Sequence, residues 1–264
     1  MSAAPHPFKD DRYTLIAISA LAYILQDILH EGLGHAVTAW WSGARQITIS
    51  TVAMQSDIST RWISASGTLV NLFFAVVLWL LLRRPQRYSP ALRYFFVMAL
   101  AGNLFTGFGY FLFSGVANFG DWAAVIHGLH PYWVWRLGLI VVGAITYYLS
   151  MLLVAQQLQA FRPPIEDSQR IRRLSWIPYF TEGVLAGLAG LFNPAGLFYV
   201  IASALPSTLG ANAGLWALPS MIYGWKGPVE PVLPIHRSRG WIFAGALASL
   251  LFIFVLGRGI NWSH

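Results

Sequence analysis

The residues able to do chemistry gather near the start of the chain. Within the apolar run LAYILQDILHEGLGHAVTAWW stand Gln26, Asp27, His30, Glu31 and His35. An ionisable side chain at the centre of a bilayer costs about 2.5–3.5 kcal/mol on insertion scales, so Asp27, His30, Glu31 and His35 on one helix demand partners or a purpose. Their spacing leaves several arrangements open. On a regular α-helix, residues five apart such as His30 and His35 point about 140° from each other, whereas an i, i+4 pair differs by about 40°. A one-residue π-bulge would bring the two imidazoles to one face, and Gly32 and Gly34 weaken the helix where that bulge would lie. Alternatively Asp27, Glu31 and His35, at i, i+4 and i+8, share a face with no distortion, which makes Glu31 a ligand or a proton carrier. The plainest reading gives all of them to a polar network that packs one helix against its neighbours.

Such a helix needs a membrane-spanning frame, and the composition supplies one. The 264 residues are 56% hydrophobic and only 10% charged, against about a quarter charged in a soluble domain, so most of the surface must face lipid. The net charge of +7 sits in loops between apolar runs, a pattern of topology determinants and anionic-lipid contacts, not of nucleic-acid binding. With no cysteine, disulfides and thiolate metal sites are excluded. Apolar runs cover about 13–40, 62–82, 94–116, 133–158, 176–205 and 241–256, and each is near the roughly 20 residues that cross a bilayer, the last being marginal. A shorter run, 211–225, is broken by Pro219 and reads as a seventh span or a re-entrant piece. Trp40, Trp41, Trp62, Trp133, Trp176, Trp241 and Trp262 mark run ends as an interfacial belt. The fold class expected is an all-α polytopic membrane protein of six or seven transmembrane helices. It divides into a four-span core over 1–160, a basic cytoplasmic loop over 161–175, and a C-terminal bundle of two or three spans over 176–264.

Positive-inside counting orients it. Lys9, Arg12, Arg83, Arg84, Arg87, Arg93, Arg162, Arg170, Arg172 and Arg173 fall on one side of the first four spans, and Arg45 and Arg61 on the other. The expectation is an integral protein of a bacterial inner (cytoplasmic) membrane with its N-terminus in the cytoplasm. The outer half of span one, the loop after it and the loop carrying Asp121 then meet on the opposite side.

The string His30-Glu31-Gly32-Leu33-Gly34-His35 resembles the zinc-binding helix of the site-2 protease family of intramembrane metalloproteases. The resemblance continues through GARQITISTVAMQSDIST, where that family has a membrane-associated β-hairpin, and SASGTLVNLFFAVVL, which carries Gly67 and Asn71 four apart. It ends at FSGVANFGDWAAV, in the place of the family's third-ligand segment, and so covers about residues 24–124. The resemblance implies a zinc held by His30, His35 and Asp121, with Glu31 as general base for the attacking water. It also implies that Asn71 orients substrate or the oxyanion, and that a membrane-embedded peptide bond is hydrolysed. The chain departs from the family in the five-residue histidine spacing, in Trp122 where a glycine follows the family's aspartate, and in sidedness, since the family opens its zinc site toward the cytoplasm.

Other residues are weaker candidates. Asp27, His127 and Glu182 could be accessory to the site, although His127 and His130 also suit an interfacial loop. Glu182 lies beside Gly183, Gly187 and Gly190, whose spacing suits close helix packing. Two further functions compete with hydrolysis: an ion or proton pathway through Asp27, Glu31, His35 and Glu182, and a catalytically inactive protease-like accessory subunit of a membrane complex. Expected partners are membrane lipids and a transmembrane protein substrate or partner subunits.

Overall fold

A computed structural model describes residues 9–162, 168–193, 205–223 and 234–263. The first apolar run forms α1, Arg12–Trp41, which begins where the Asp11 carboxylate accepts the Thr14 N–H at 2.9 Å. Span two is α2, Arg61–Leu82, capped by Thr60, and span three is α3, Pro90–Ala117, capped by Ser89 with proline in its first turn. A short helix, α4 (Asp121–Ile126), precedes α5, Tyr132–Leu158. Then come α6, Ser168–Leu191, a π-helical turn at Pro206–Gly210, α7, Gly214–Tyr223, and α8, Arg239–Leu256.

Among the described residues five helices are long and apolar enough to cross a membrane: α1, α2, α3, α5 and α8. These apolar helices are compatible with an integral membrane protein. The fifth expected run, 176–205, corresponds to α6 as far as Leu191. That helix starts at Ser168, inside the stretch expected to be loop, and its first turns carry Gln169, Arg170, Arg172 and Arg173. Residues 194–204, and with them Pro194, lie outside the described residues, as do 163–167 of the expected loop. The run 211–225 yields only the ten residues of α7, with Trp225 outside the described residues.

Position in the bundle follows polarity. Burial is 72% in α1 and 67% in α3 but 17% in α5 and in α8, so the helix carrying the ionisable residues is central together with α3, and the more apolar α5 and α8 form the outer wall. Leu15 and Ile18 of α1 pack with Tyr94, Val97 and Phe105 of α3 in the main core. Gly245 lets α8 approach so closely that a methyl there would lie 2.7 Å from the Ala17 Cα. Both halves of the chain therefore share α1 as their core.

At the end of the bundle where α1 begins, Arg170 is fully buried. Its guanidinium donates to both oxygens of Asp10 at 2.7 and 2.9 Å and to the Phe161 carbonyl at 2.6 Å. Asp10 also accepts the Ile235 N–H at 2.9 Å. One fork thus ties the start of the chain to the end of α5, the start of α6 and the approach to α8.

At the other end lies a three-stranded antiparallel sheet, β2-β1-β3. β1 (Gln46–Ile49) and β2 (Met54–Ser56) form the expected hairpin, with Ile47 opposite Ser56 and Ile49 opposite Met54. The third strand, β3 (Ile260–Ser263), was not anticipated; it pairs along the other edge of β1, with Ile47 opposite Trp262. Trp262, read from the sequence as part of the interfacial belt, stacks on Trp40 with ring centroids 6.1 Å apart. Gly259, at φ 83°, makes the turn that a side chain would strain.

Candidate metal centre

The middle of α1, Ile28–Ala36, is π-helical, so the Val37 N–H reaches back five residues to the Gly32 carbonyl. That extra residue per turn brings His30 and His35 together, their rings edge to face at 4.7 Å. Of the arrangements open in the sequence, the structure takes the one that pairs the histidines, and it does so over nine residues instead of one inserted position.

The third member arrives from the α3–α4 corner. Asn118 ends α3 in the left-handed region at φ 54°, its side-chain oxygen accepting the Tyr132 hydroxyl at 2.5 Å, and Gly120 follows at φ 86°. This reversal sets Asp121 at the first position of α4, facing α1. Trp122 packs on Phe111 with centroids 4.4 Å apart and the ring planes tilted by 52°.

Three ligand atoms converge. His30 Nε2 lies 3.1 Å from Asp121 Oδ2, His35 Nε2 lies 3.3 Å from the same oxygen, and the two Nε2 atoms are 3.1 Å apart. Ligands held about 2.0–2.1 Å from a tetrahedral zinc stand about 3.3 Å from one another, so the triangle has the dimensions of one face of such a site. Protonation points the same way. His35 Nδ1 contacts the Ile63 carbonyl at 2.6 Å, and a carbonyl only accepts, so Nδ1 carries the proton. His30 Nδ1 lies 2.6 Å from Asn71 Oδ1. The Asn71 amide is fixed by donating to the Gln26 carbonyl at 3.1 Å and to Asn103 Oδ1 at 2.8 Å, so its oxygen must face His30 and accept. With Nδ1 of each ring engaged, Nε2 is the nitrogen each imidazole presents to Asp121 Oδ2, and with both Nε2 atoms unprotonated their lone pairs and the carboxylate form a face suited to a cation. His30, His35 and Asp121 could hold a metal ion. When the imidazoles are instead protonated, burial still raises the Asp121 carboxyl, but the positive charge of His35 and the hydrogen bonds from His30 and His35 pull it well below the usual carboxylate range.

Gly67 and Asn71, one turn apart on α2, serve this centre by shape and by hydrogen bonding respectively. Gly34 packs on Gly67, where an added methyl would lie 2.5 Å from the Gly67 Cα. Asn71 is fully buried and both its amide hydrogens are committed within the protein. The contacts the structure gives the Asn71 side chain are thus with His30, Gln26 and Asn103.

Glu31 is buried, and its Oε2 accepts the Met54 N–H of β2 at 2.6 Å, which is why the hairpin folds back over α1. With His35, Tyr110 and Asp121 it lines a cavity of about 560 Å³. Behind it a void of about 20 Å³, bounded by Gln26, Asp27, Thr106 and Thr208, has room for about one water. Asp27 Oδ2 and Gln26 Oε1 find no partner among the described residues. Asp27 is thus beside the centre without being one of its three converging ligands. His127 is exposed, its backbone carbonyl accepts from Arg61 at 2.9 Å, and it is not among the three residues that converge. Glu182 is buried on α6 and is not among the residues that line the cavity.

Tyr110 escaped the sequence reading. Its ring stacks on His30 at 5.0 Å, and it borders both the large cavity and the small void. Nothing in GNLFTGFGYFLF singles it out from the other aromatics of α3. Asn103, whose side chain supports Asn71 while donating to the Ala99 carbonyl at 2.8 Å, was a buried polar residue in an apolar span and carried a legible signal.

Fold and site together define a class: a helical chain with membrane-length apolar helices and, at one end, a group of two buried histidines and one half-buried aspartate that could hold a metal ion. No protein-family model, curated protein or solved structure matches the chain.

Proposed function

We propose that this chain is an intramembrane zinc metalloprotease-like hydrolase of the site-2 protease type, cleaving peptide bonds within the membrane. The observation that carries the reading is the convergence of His30 Nε2, His35 Nε2 and Asp121 Oδ2 to 3.1–3.3 Å, with both Nδ1 atoms already engaged by carbonyls. Three protein ligands with a fourth position facing a cavity is the pattern of catalytic, as opposed to closed structural, zinc sites. His30, His35 and Asp121 would hold the zinc, which would supply Lewis acidity to activate water near neutral pH and polarise a carbonyl. Glu31 takes the proton from the attacking water and returns it to the departing amine. The Met54 N–H holds Oε2, so Oε1 is the oxygen left for that proton. Ile63 and Asn71 keep the two imidazoles in the tautomer that presents Nε2. The sheet and α4 cover the site on the side that charge counting makes non-cytoplasmic, in a bacterial inner membrane with the N-terminus in the cytoplasm.

The full chain, purified in detergent, should carry about one zinc per molecule and cleave a reporter transmembrane segment. His30→Ala and Asp121→Ala should lose the metal. Glu31→Gln should keep it and lose cleavage, because a general base acts on water and need not hold the ion. Stoichiometric metal in both ligand variants, or cleavage by Glu31→Gln, overturns the reading. A wild-type chain that binds zinc and cleaves nothing favours the accessory-subunit role.

One observation favours the proton or ion pathway as a second reading. Asp27 Oδ2 and Glu182 Oε2 are buried without a partner among the described residues, as carboxylates along a hydrated path would be. Proton flux through reconstituted protein that survives His30→Ala and stops with Glu182→Gln would support it.

A further inference from the structure

A second chamber adjoins the metal cavity. It has a volume of about 470 Å³ and lies between α3, α5 and the Pro206–Gly210 turn, walled by Leu112, Val116, Tyr147, Pro206 and Gly210. Tyr110, Phe113 and Ser207 line this chamber and the metal cavity alike, so the two share a wall. That wall is close to the chemistry, since Tyr110 is the ring stacked on His30. The chamber asks for an apolar occupant. The Tyr147 hydroxyl on its lining is already spent: it donates to the Ala211 carbonyl at 2.5 Å and accepts the Gly214 N–H at 2.8 Å. A volume in the range of small-ligand pockets, with apolar walls and few free polar groups, binds through burial of hydrocarbon. Another apolar cavity, of about 430 Å³, lies on the far side of α1 against α8, but it shares only Glu31 with the metal cavity and reaches none of the three converging ligands.

We infer that the chamber between α3, α5 and the Pro206–Gly210 turn is a specificity subsite that takes a bulky aliphatic or aromatic group of the substrate, attached next to the bond held at His30, His35 and Asp121. The inference rests on the hydrolase reading and adds to it the class of group the substrate must present. Tyr110 and Phe113 of the shared wall form the rim over which that group passes, and small residues at Gly210 and Ala213 leave the chamber its width.

Gly210 gives a test that leaves the fold in place, because a Cβ built there meets nothing within 4 Å. The probes are acetohydroxamate and octanohydroxamate, which share a zinc-chelating head and differ by an alkyl tail. Binding of each to the zinc-loaded full-length protein is measured in the same detergent. Each methylene buried is worth roughly fourfold in affinity, so the wild-type protein should prefer the octyl probe by about tenfold or more. Gly210→Phe should bring that preference to about threefold or less, with zinc content and acetohydroxamate affinity unchanged. Ala213→Leu is a second filling variant, and Val141→Phe, on the exposed face of α5, should keep the wild-type ratio and so controls for the micelle. An unchanged ratio in both filling variants, or no preference in the wild type, overturns the subsite while leaving the metal site standing. Failure of acetohydroxamate to bind the zinc-loaded protein, or equal binding by His30→Ala, removes the metal reading and the subsite with it.

Discussion

Gly67 lies directly beneath His30: a methyl added at Gly67 would stand 2.8 Å from the His30 Cε1 and would run into His35 Nε2. The neighbour is therefore the ring edge that faces the metal position, pinned from behind by Asn71 and Ile63, and not a flexible chain end that could swing aside. Gly67→Ala should leave the helices formed but push the imidazoles out of register. Overpacking of this kind costs about 1–3 kcal/mol, which corresponds to roughly a 5- to 150-fold loss of zinc affinity. Competition with a chelator of known affinity measures it; wild-type affinity in Gly67→Ala would show that the rings have room the structure does not give them.

Asn71 separates a positioning role from a catalytic one. Its removal strips His30 Nδ1 of its acceptor and leaves Asn103 Oδ1 and the Gln26 carbonyl without their donor. Asn71→Ala should weaken zinc binding by about 10- to 100-fold, the usual effect of losing a partner that orients a ligand. Were Asn71 instead to contact substrate, zinc affinity would hold and only kcat would fall.

The end of the bundle away from the metal depends on the Arg170–Asp10 fork. Removing one partner of a buried ion pair leaves the other uncompensated, at about 3–5 kcal/mol. Asp10→Ala should therefore lower the thermal unfolding midpoint in detergent by several degrees while zinc stoichiometry stays at the wild-type value. Replacing both residues by apolar ones, as in the Asp10→Leu/Arg170→Met double variant, should recover most of the loss, since the charges then vanish together. A fall in zinc content parallel to the fall in stability would show that the two ends are coupled.

What was legible beforehand follows from which signals are local. The apolar spans, the hairpin and the polar cluster of α1 are written in consecutive residues. The five-residue spacing of His30 and His35 makes a departure from α-helix one of the arrangements open to the sequence, since a regular helix cannot hold both rings on one face. Long-range partners carry no such mark. β3 is four residues with no hairpin turn beside it, and it pairs with β1 only because α8 delivers it to the same end of the bundle. Arg170 read as one more basic loop residue, since its partner lies 160 positions away. Asn71 was noticed for its place in a motif, yet its contact with His30 follows from the orientation of its amide, which depends on Gln26 and Asn103. The extent of the π-helix was likewise hidden: spacing demands one extra residue, while the packing of Gly34 on Gly67 and the fork of contacts around His35 hold nine residues in that geometry.

Sidedness is where charge counting and family resemblance part, and the structure sharpens the test. The site lies near the C-terminal part of α1; His30 is about 27 Å along the helix from Arg12 at 1.5 Å per residue, beyond the midpoint. The hairpin, α4 and β3 share that end, while the α2–α3 connection with Arg83, Arg84 and Arg87 lies at the other. Burial of Arg170 against Asp10 removes one cation from the basic side. Lys9, Arg12, Arg83, Arg84, Arg87, Arg93, Arg162, Arg172 and Arg173 remain there against Arg45 and Arg61, so the bias holds and the metal end is expected to face away from the cytoplasm. The chain has no cysteine, and Ser59 and Gln86 are exposed at the two ends, so single cysteines there report cleanly. In intact cells treated with an impermeant maleimide, Ser59→Cys should label and Gln86→Cys should stay protected until the membrane is permeabilised. The reverse pattern would place the metal end in the cytoplasm, the orientation typical of site-2 proteases, and would mean that the arginines at the α2–α3 connection do not set the topology of this chain.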